Sequence, residues 1–177
     1  MASQRQAKPG ALICDLDQTL VDTRPLKHLR AAKRWSEVYE RIPTCTALTG
    51  SRDFLLRAKG IPMAIVTNSP SNYAARVLDH FGIRFEVLVA YHDVRFRKPH
   101  PEPTLLALSK LGVAASAAWC IGDQPEDIIS GRAAGIPVTI GIRAASETES
   151  ELLAAKPSLL ADDWLEVAAL LSRTTGS

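Results

Sequence analysis

The sequence lacks the features that mark secreted, metal-thiolate and membrane-spanning proteins. Its three cysteines, Cys14, Cys45 and Cys120, are an odd number without CxxC spacing, which argues against a disulfide framework or a thiolate zinc site. No apolar run approaches the roughly 18 residues of a membrane span. The polar start from Met1 to Lys8 has no apolar region of the kind a secretory signal needs. We therefore expect a reduced, cytoplasmic protein with no membrane partner.

The sequence also has little net charge. Its 21 Lys and Arg against 19 Asp and Glu leave a formal charge of +2, too small to argue by itself for a nucleic-acid or membrane partner. A length of 177 residues suits one domain with a sizeable core. No repeat or linker divides the chain, so we expect a single domain over residues 1–177, with a disordered lead-in at 1–9 and a loose tail at 174–177.

Short apolar runs alternate with segments of helical periodicity along the chain. The runs have the length of buried parallel strands, and they are Ala11 to Cys14, Pro62 to Val66, Phe85 to Ala90, Ala117 to Ile121 and Pro137 to Ile142. Helices are expected over Leu26 to Ile42, Ala47 to Lys59, Ser71 to Phe81, Glu102 to Leu111, Ile128 to Ala134, Glu147 to Ala154 and Asp163 to Leu171. This alternation predicts an α/β fold of three layers, Rossmann-like, with a central parallel sheet of about five strands.

Each loop that follows a predicted strand carries a different polar group. These groups are Asp15 and Asp17, Thr67 and Asn68, Lys98, and Asp123 and Asp127. The carboxyl ends of parallel strands share one edge of the sheet, so we expect these side chains to converge. Several carboxylates there would repel one another unless a hard cation lay among them, and oxygen ligands of this kind suit Mg²⁺. Carboxylates, a metal and donors for anionic oxygens together point to phosphoryl transfer.

Four motifs in this arrangement resemble those of the haloacid dehalogenase superfamily. They are Asp15-Leu16-Asp17-Gln18-Thr19, Val66-Thr67-Asn68-Ser69, Lys98-Pro99-His100-Pro101-Glu102 and Gly122-Asp123-Gln124-Pro125-Glu126-Asp127. Their order and spacing are similar to the branch that contains phosphoglycolate phosphatase and β-phosphoglucomutase. The resemblance covers roughly residues 11 to 142 and implies a hydrolase acting on phosphoric monoesters.

The resemblance implies separate roles for the two acids of the first motif. Asp15 would be the nucleophile that forms an aspartyl phosphate and would also bind the metal. Asp17 would protonate the leaving oxygen and then activate water, while its backbone carbonyl would be a metal ligand. Members that cleave carbon–halogen bonds do not generally keep an acid at the position of Asp17, so its presence favours a phosphatase.

The resemblance also implies which residues bind the phosphoryl group and the metal. Thr67 and the amide of Asn68 would hold phosphoryl oxygens, and Lys98 would offset charge on nucleophile and phosphate. Asp123 would bind Mg²⁺ through its side chain, and Asp127 would bind it directly or support it through another ligand. Simpler alternatives stay open: Thr67 and Asn68 as a helix N-cap, Lys98 as a surface lysine, and Asp127 as an acid that complements a helix dipole.

The chain departs from the family pattern in two places. Gln18 stands where the family most often has glycine, so either a turn with positive φ strains it or its amide reaches the substrate. The second departure is the space between the first two motifs, where relatives carry a multi-helix cap domain. Here residues 23–42 hold a single helical insert.

The insert carries a basic stripe made of Lys27, Arg30, Arg34 and Arg41. The stripe is either a solvated face, helped by the i,i+4 pairs Lys33–Glu37 and Glu37–Arg41, or a surface that attracts a polyanionic substrate. A small insert leaves the site open to a bulky or macromolecular end, nucleic acid included. It could instead need a second subunit to close the crevice, which keeps a homodimer among the alternatives.

Taken together, these features predict a Mg²⁺-dependent phosphatase that uses Asp15 and acts on a phosphorylated small molecule or macromolecular end. Two alternatives belong to other classes. A receiver-like signalling domain also holds a phospho-aspartate, although Asp17 and the Gly122-to-Asp127 motif argue against it. A catalytically retired binding module stays open because of Gln18 and the reduced cap.

Overall fold

A parallel sheet forms the centre of the chain in a computed structural model that describes residues 7–143 and 149–174. The strands are β1 (Ala11–Cys14), β2 (Val21–Asp22), β3 (Thr46–Ala47), β4 (Met63–Val66), β5 (Val87–Val89), β6 (Ala118–Gly122), β7 (Val138–Ile142) and β8 (Leu159–Ala161). Six of them form the central sheet in the order β5-β4-β1-β6-β7-β8, and every neighbouring pair is parallel. The predicted α/β fold with a central parallel sheet is confirmed.

Helices cover both faces of this sheet. They are α1 (Lys27–Ala31), α2 (Trp35–Arg41), α3 (Ser51–Arg57), α4 (Ser71–His80), α5 (Glu102–Leu111), α6 (Pro125–Ala133), α7 (Glu149–Ala154) and α8 (Trp164–Thr174). Short 3-10 turns occur at Arg24–Leu26, Ile42–Thr44 and Ala115–Ala117. The prediction for α5 matches at both ends, whereas α6 begins three residues before the predicted Ile128, with Pro125 in its first turn.

The strands alternate their side chains between two apolar layers. In β1, Leu12 and Cys14 join the larger core cluster, whereas Ala11 and Ile13 join a second cluster that includes Ala107 of α5. All four β1 residues are buried, as expected for a central strand covered on both faces. This covering fixes the strand so that the residues after Cys14 emerge at one edge of the sheet.

The sheet has one strand more than the sequence predicts. β8 extends the sheet beyond β7 through the register Ile140↔Leu159 and Ile142↔Ala161. It is only three residues long, and such a short apolar run has no periodicity that separates it from a loop. The extra strand lies at the sheet edge, three places from β1.

The predicted single helix from Leu26 to Ile42 is wrong, because the insert contains two short helices. α1 ends in a Schellman motif, in which Lys33 N–H donates to Arg30 and Arg34 N–H donates to Leu29. Lys33 holds the left-handed conformation at φ +56°, a position that glycine usually occupies. Because no glycine marks this helix end, the sequence pattern runs through it.

The predicted helix from Ala47 is also wrong at its start. Ala47 belongs to β3, which pairs antiparallel with β2, and α3 begins only at Ser51. Gly50 precedes α3 at φ +79°, and a Cβ there would lie 2.7 Å from the backbone nitrogen of Leu165. This glycine therefore satisfies both a backbone conformation and a close approach of α8.

Three expectations about the chain's environment and ends have different outcomes. The three cysteines are buried free thiols, as expected for small apolar core residues. Across residues 7–143 and 149–174, no helix has both the length and the apolar character needed to cross a membrane. Residues 1–6 of the predicted lead-in, residues 147–148 of the predicted helix start and residues 175–177 of the predicted tail lie outside the described residues.

Candidate active site

The predicted site residues meet at the carboxyl ends of the three central strands. Asp15 follows β1, Thr67 follows β4 and Asp123 follows β6. Lys98 approaches from the loop before α5, and Asp127 from the first turn of α6. All five residues line one pocket of about 280 Å³. A larger apolar groove of about 690 Å³ lies at the amino ends of the strands and contains none of them.

Lys98 is a buried ammonium between two carboxylates. Its Nζ donates to Asp15 Oδ1 at 2.8 Å, to the carbonyl of Val66 at 2.7 Å and to Asp127 Oδ1. Burial alone would lower the pKa of Lys98, but the charges of Asp127 and Asp15 outweigh it and raise that pKa. The interpretation of Lys98 as a surface lysine is therefore wrong, because the residue is 9% exposed.

The three buried carboxylates form a group suited to a hard cation. One oxygen each from Asp15, Asp123 and Asp127 lies within 4.8 Å of the others. Burial raises the pKa of Asp15 well above its usual value, with Lys98 opposing the rise and the neighbouring acids adding to it. Burial and the charge of Asp127 likewise raise the pKa of Asp123 to about 7. A single ammonium cannot balance three carboxylates, so their oxygens fit a divalent cation.

Asp127 is both a helix-start residue and a member of this group. Its Oδ2 accepts the backbone N–H of Gln124 at 3.0 Å in a capping box, while its Oδ1 faces Lys98. Gly122 makes this position possible, because a Cβ on Gly122 would overlap the Asp127 side chain. Asp127 therefore fills both roles that the sequence allows: it is an acid at the start of a helix, and it is one of the carboxylates of the pocket.

Thr19 links the two strands that carry the acids. Its hydroxyl donates to Asp123 Oδ1 at 2.6 Å, and Asp15 Oδ2 lies 3.3 Å away. The same oxygen accepts the backbone N–H of Asp123 at 3.1 Å. Gln124 also donates to Asp123, at 2.6 Å. These donors stabilise the charged form of Asp123 and oppose the effect of its burial.

The carboxylate of Asp17 is not part of this group of three acids and is held by four side chains. Asp17 Oδ1 accepts from Thr23 at 2.6 Å, from Tyr73 at 2.7 Å and from Arg30 at 2.8 Å. Asp17 Oδ2 accepts from Ser69 at 2.6 Å. The side chain of Asp17 is therefore not in the group of metal-competent carboxylates.

Thr67 and Asn68 have different surroundings. Thr67 is buried, and its Oγ1 accepts the backbone N–H of Ser69 at 3.0 Å. Asn68 is exposed, and its side-chain amide donates to the carbonyl of Lys98 at 3.2 Å. The N-cap alternative is wrong for both, since α4 begins after Pro70 without a side-chain cap.

The structure settles the first of the two alternatives for Gln18, the strained turn. Its φ is +58°, so the turn does require the left-handed conformation. Its side chain also lines the pocket, where its amide donates to the Thr23 hydroxyl at 3.2 Å. Glutamine therefore occupies a left-handed position that glycine usually takes, and contact of its amide with a substrate stays a prediction.

One residue of the basic stripe, Arg30, does not lie on an exposed face of the insert. Arg30 turns into the pocket and pairs with Asp17, whereas Arg34 lies at the start of α2 and pairs with Glu37. The expected Glu37 pairs with Lys33 and Arg41 are replaced by this Arg34 pair. Trp35 and Tyr39 pack against the chain's own core, with the Trp35 ring 6.2 Å from that of Tyr73.

Sequence reasoning missed most of the side chains that surround Asp17. The sequence pattern places Arg30 in the basic stripe and predicts no role for Ser69 or Tyr73. Ser69 was detectable because it lies within the second motif, next to Asn68. Nothing local marks Tyr73 or Arg30, whose contacts with Asp17 depend on how α1 and α4 pack.

The fold and this site define a hydrolase of α/β class, and comparison with known proteins gives its family. The family model described as haloacid dehalogenase-like hydrolase matches residues 26–140. The phosphoglycolate phosphatase of Pectobacterium atrosepticum is 32% identical over 157 residues, covering 81% of this chain and 67% of that protein. The chain therefore belongs to the haloacid dehalogenase-like hydrolase family, and the prediction of a phosphatase-type hydrolase is confirmed at that level.

Other relatives match a smaller part of the chain or only its fold. The phosphoglycolate phosphatase of Escherichia coli K12 is 39% identical over 84 residues, which is 46% of this chain and 33% of that protein. CbbY from Rhodobacter sphaeroides, solved with phosphate, has a TM-score of 0.79 at 19% identity over 93% of this chain and 99% of that chain. A predicted phosphoglycolate phosphatase from Haemophilus somnus has a TM-score of 0.80 at 20% identity. The match covers 93% of this chain and 99% of that chain. The expected branch of the family is confirmed.

Proposed function

We propose that this chain is a Mg²⁺-dependent phosphomonoesterase that works through an aspartyl phosphate on Asp15. The observation that carries the proposal is the buried group of Asp15, Asp123 and Asp127 beside Lys98, at the sheet edge where ligands of such folds bind. Bound there, Mg²⁺ would neutralise charge on the phosphoryl oxygens. The carboxylates of Asp15, Asp123 and Asp127 would hold it.

Asp15 and Asp17 divide the chemistry between them. A carboxylate oxygen of Asp15 attacks phosphorus and forms an acyl phosphate, while the bond from phosphorus to the leaving oxygen breaks. Asp17 gives a proton to that oxygen. In the second half, water attacks the phosphorus, Asp17 takes a proton from it, and inorganic phosphate leaves with Asp15 restored.

Lys98, Thr67 and Asn68 position the phosphoryl group. Lys98 already donates to Asp15 Oδ1 and would offset negative charge as the oxygen attacks. Thr67 accepts the N–H of Ser69, which leaves its hydroxyl proton to donate to a phosphoryl oxygen. The exposed amide of Asn68 lies at the mouth of the same pocket.

The size of the pocket favours a small phosphorylated substrate over a macromolecular end. Its volume is about 280 Å³, and Arg30 of the basic stripe is turned into the pocket, where it pairs with Asp17. The curated relatives named phosphoglycolate phosphatase support the same choice.

The cellular location that we propose for the protein is the cytoplasm. Its three buried free thiols are consistent with that reducing compartment.

The proposal is tested by hydrolysis of p-nitrophenyl phosphate with and without Mg²⁺. Asp15→Asn should lower the rate by about 10³-fold or more while the circular dichroism spectrum stays unchanged, and excess EDTA should abolish wild-type turnover. Asp53→Asn is the matched control, because Asp53 is partly exposed on α3 and pairs with Arg57. Full activity of Asp15→Asn, or full activity in EDTA, would contradict the mechanism.

The same assay separates the alternatives from other classes. A long-lived acyl phosphate on Asp15 without turnover would indicate a receiver-like domain. Neither phosphorylation nor turnover with any phosphomonoester would indicate a retired binding module.

A further inference from the structure

We propose that Arg30 selects phosphomonoesters whose leaving group carries a second anion, and that it releases Asp17 more readily when this anion is bound. The inference rests on the proposed function and names the substrate class for the same site.

Arg30 is aimed at the pocket by contacts on both of its terminal nitrogens. Nη1 lies 2.8 Å from Asp17 Oδ1, and Nη2 lies 2.7 Å from Ser69 Oγ and 3.3 Å from Asp17 Oδ2. The guanidinium also stacks over the ring of Tyr73, with Cζ 4.5 Å from the ring centroid. This geometry presents a planar fork toward the site, the arrangement that binds carboxylates and phosphates through two hydrogen bonds.

Asp17 has no free acceptor capacity for catalysis in this arrangement. Besides Arg30, its carboxylate accepts hydrogen bonds from the hydroxyls of Thr23, Tyr73 and Ser69. To exchange a proton with a leaving oxygen or a water, Asp17 must give up at least one of these donors. The three hydroxyls belong to buried residues, whereas 24% of the Arg30 side chain is exposed. Arg30 is therefore the donor that can move away without disturbing the core.

The charges that line the pocket indicate what would draw Arg30 away. Lys98 and Arg30 are the cations among the lining residues, and Lys98 is enclosed with Asp15, Asp127 and the Val66 carbonyl. Arg30 is thus the cation left for a group outside the phosphoryl position. It lies beside Asp17, where the leaving group must be protonated. A carboxylate or second phosphate on that group could replace the Asp17 carboxylate in the guanidinium fork.

This exchange couples recognition to catalysis. The incoming anion keeps Arg30 paired, so the swap does not leave a charge without a partner in the pocket. A leaving group without an anion offers no such replacement, so Asp17 is released less often and turnover is slower. The enzyme should therefore discriminate strongly between phosphomonoesters that differ only in a remote anionic group.

The kinetic test compares 2-phosphoglycolate with ethyl phosphate, which lacks the carboxylate. Wild-type kcat/KM should favour 2-phosphoglycolate by at least about 10-fold, the effect expected of one charged hydrogen-bonded contact. Arg30→Gln should lower kcat/KM for 2-phosphoglycolate by about 10- to 100-fold and leave that for ethyl phosphate equal or higher. Arg34→Gln, an exposed arginine of the same insert, should retain the wild-type preference. Equal losses for both substrates, or a preference that survives Arg30→Gln, would overturn the proposal.

A binding measurement keeps the test independent of turnover. With Mg²⁺ present, calorimetry should show tighter binding of 3-phosphonopropionate than of propylphosphonate to the wild-type chain, and equal binding of both to Arg30→Gln. Arg30→Lys should recover only part of the difference, because an ammonium lacks the planar fork. Failure of every phosphomonoester to react would refute the proposed function alone. Equal binding of the two phosphonates to the wild type would refute the role of Arg30.

Discussion

Gln18 holds a backbone conformation that costs energy for any residue with a Cβ. Its φ of +58° is almost the same as that of Lys33 at +56°, but Gln18 lines the pocket whereas Lys33 is exposed. The two residues therefore bear similar backbone strain, and only Gln18 combines it with a hydrogen bond to Thr23. This pairing allows strain and function to be separated.

We predict that Gln18→Gly and Lys33→Gly each stabilise the fold by about 0.5–1 kcal/mol. Glycine removes the strain of the left-handed conformation from the folded state. The greater conformational freedom of glycine in the unfolded chain offsets part of this gain in the free energy of unfolding. Urea unfolding of the two variants measures it. If Lys33→Gly is stabilising and Gln18→Gly is destabilising, the contact of Gln18 with Thr23 outweighs the strain.

Asp123 makes the metal-free fold sensitive to pH. Burial and the charge of Asp127 raise its pKa from 3.8 in the unfolded reference to about 7 in the fold. The folded chain then holds a proton that the unfolded chain has lost. The stability linked to this group is therefore complete below pH 3.8 and is lost as pH rises through about 7.

We predict that Asp123→Asn stabilises the protein in EDTA near neutral pH, by an amount on the order of 2 kcal/mol. The gain should shrink as pH falls toward and below 3.8, where the wild-type carboxyl becomes protonated in both states. Urea unfolding across this pH range measures the difference, with Asp53→Asn as a control that should vary little. A difference that does not change with pH would show that Asp123 is ionised throughout in the fold.

Individual site residues differed in how far the sequence could predict them. Asp15, Asp123 and Lys98 were predictable as neighbours because each follows a strand or precedes a helix at the same sheet edge. The direction of the Asp17 side chain was not predictable, because it depends on hydrogen-bond donors from α1 and α4. Sequence order identifies which edge a residue reaches, but not which side chains surround it there.

Among the elements, the central strands were predictable and the insert was not. β1, β4 and β6 are continuous apolar runs that end in polar residues, the pattern of strands covered on both faces. The division between α1 and α2 carries no such mark. The Schellman motif there uses Lys33 in place of glycine, so the helical pattern shows no end.

The division of the insert has a consequence for the site. Because α1 stops at Ala31, Arg30 lies in its last turn and faces the pocket, while Arg34 begins a separate helix. A continuous helix would have placed both arginines on one surface, four residues apart. The helix break therefore separates the arginine of the pocket from the exposed ones.

At the scale of the whole molecule, we propose that the chain unfolds as a single domain. The insert packs into the same apolar cluster as the sheet, which contains Leu29 and Val38 together with Leu12 and Ile65. We predict that urea unfolding followed by circular dichroism and by tryptophan fluorescence gives one midpoint, and that Trp35→Phe leaves the two probes coincident. An earlier transition seen only through Trp35 would show that the insert unfolds independently.

The central claim is a covalent phosphoryl group on Asp15, and mass spectrometry of the Asp17→Asn variant tests it most directly. Without Asp17 to activate water, the aspartyl phosphate should form faster than it is hydrolysed. It should therefore accumulate when the variant is incubated with Mg²⁺ and p-nitrophenyl phosphate. We predict a mass increase of one phosphoryl group on the peptide that contains Asp15, removed by hydroxylamine and absent from the Asp15→Asn, Asp17→Asn double variant. A phosphoryl group on any other residue, or none while the wild-type chain turns over, would contradict the mechanism.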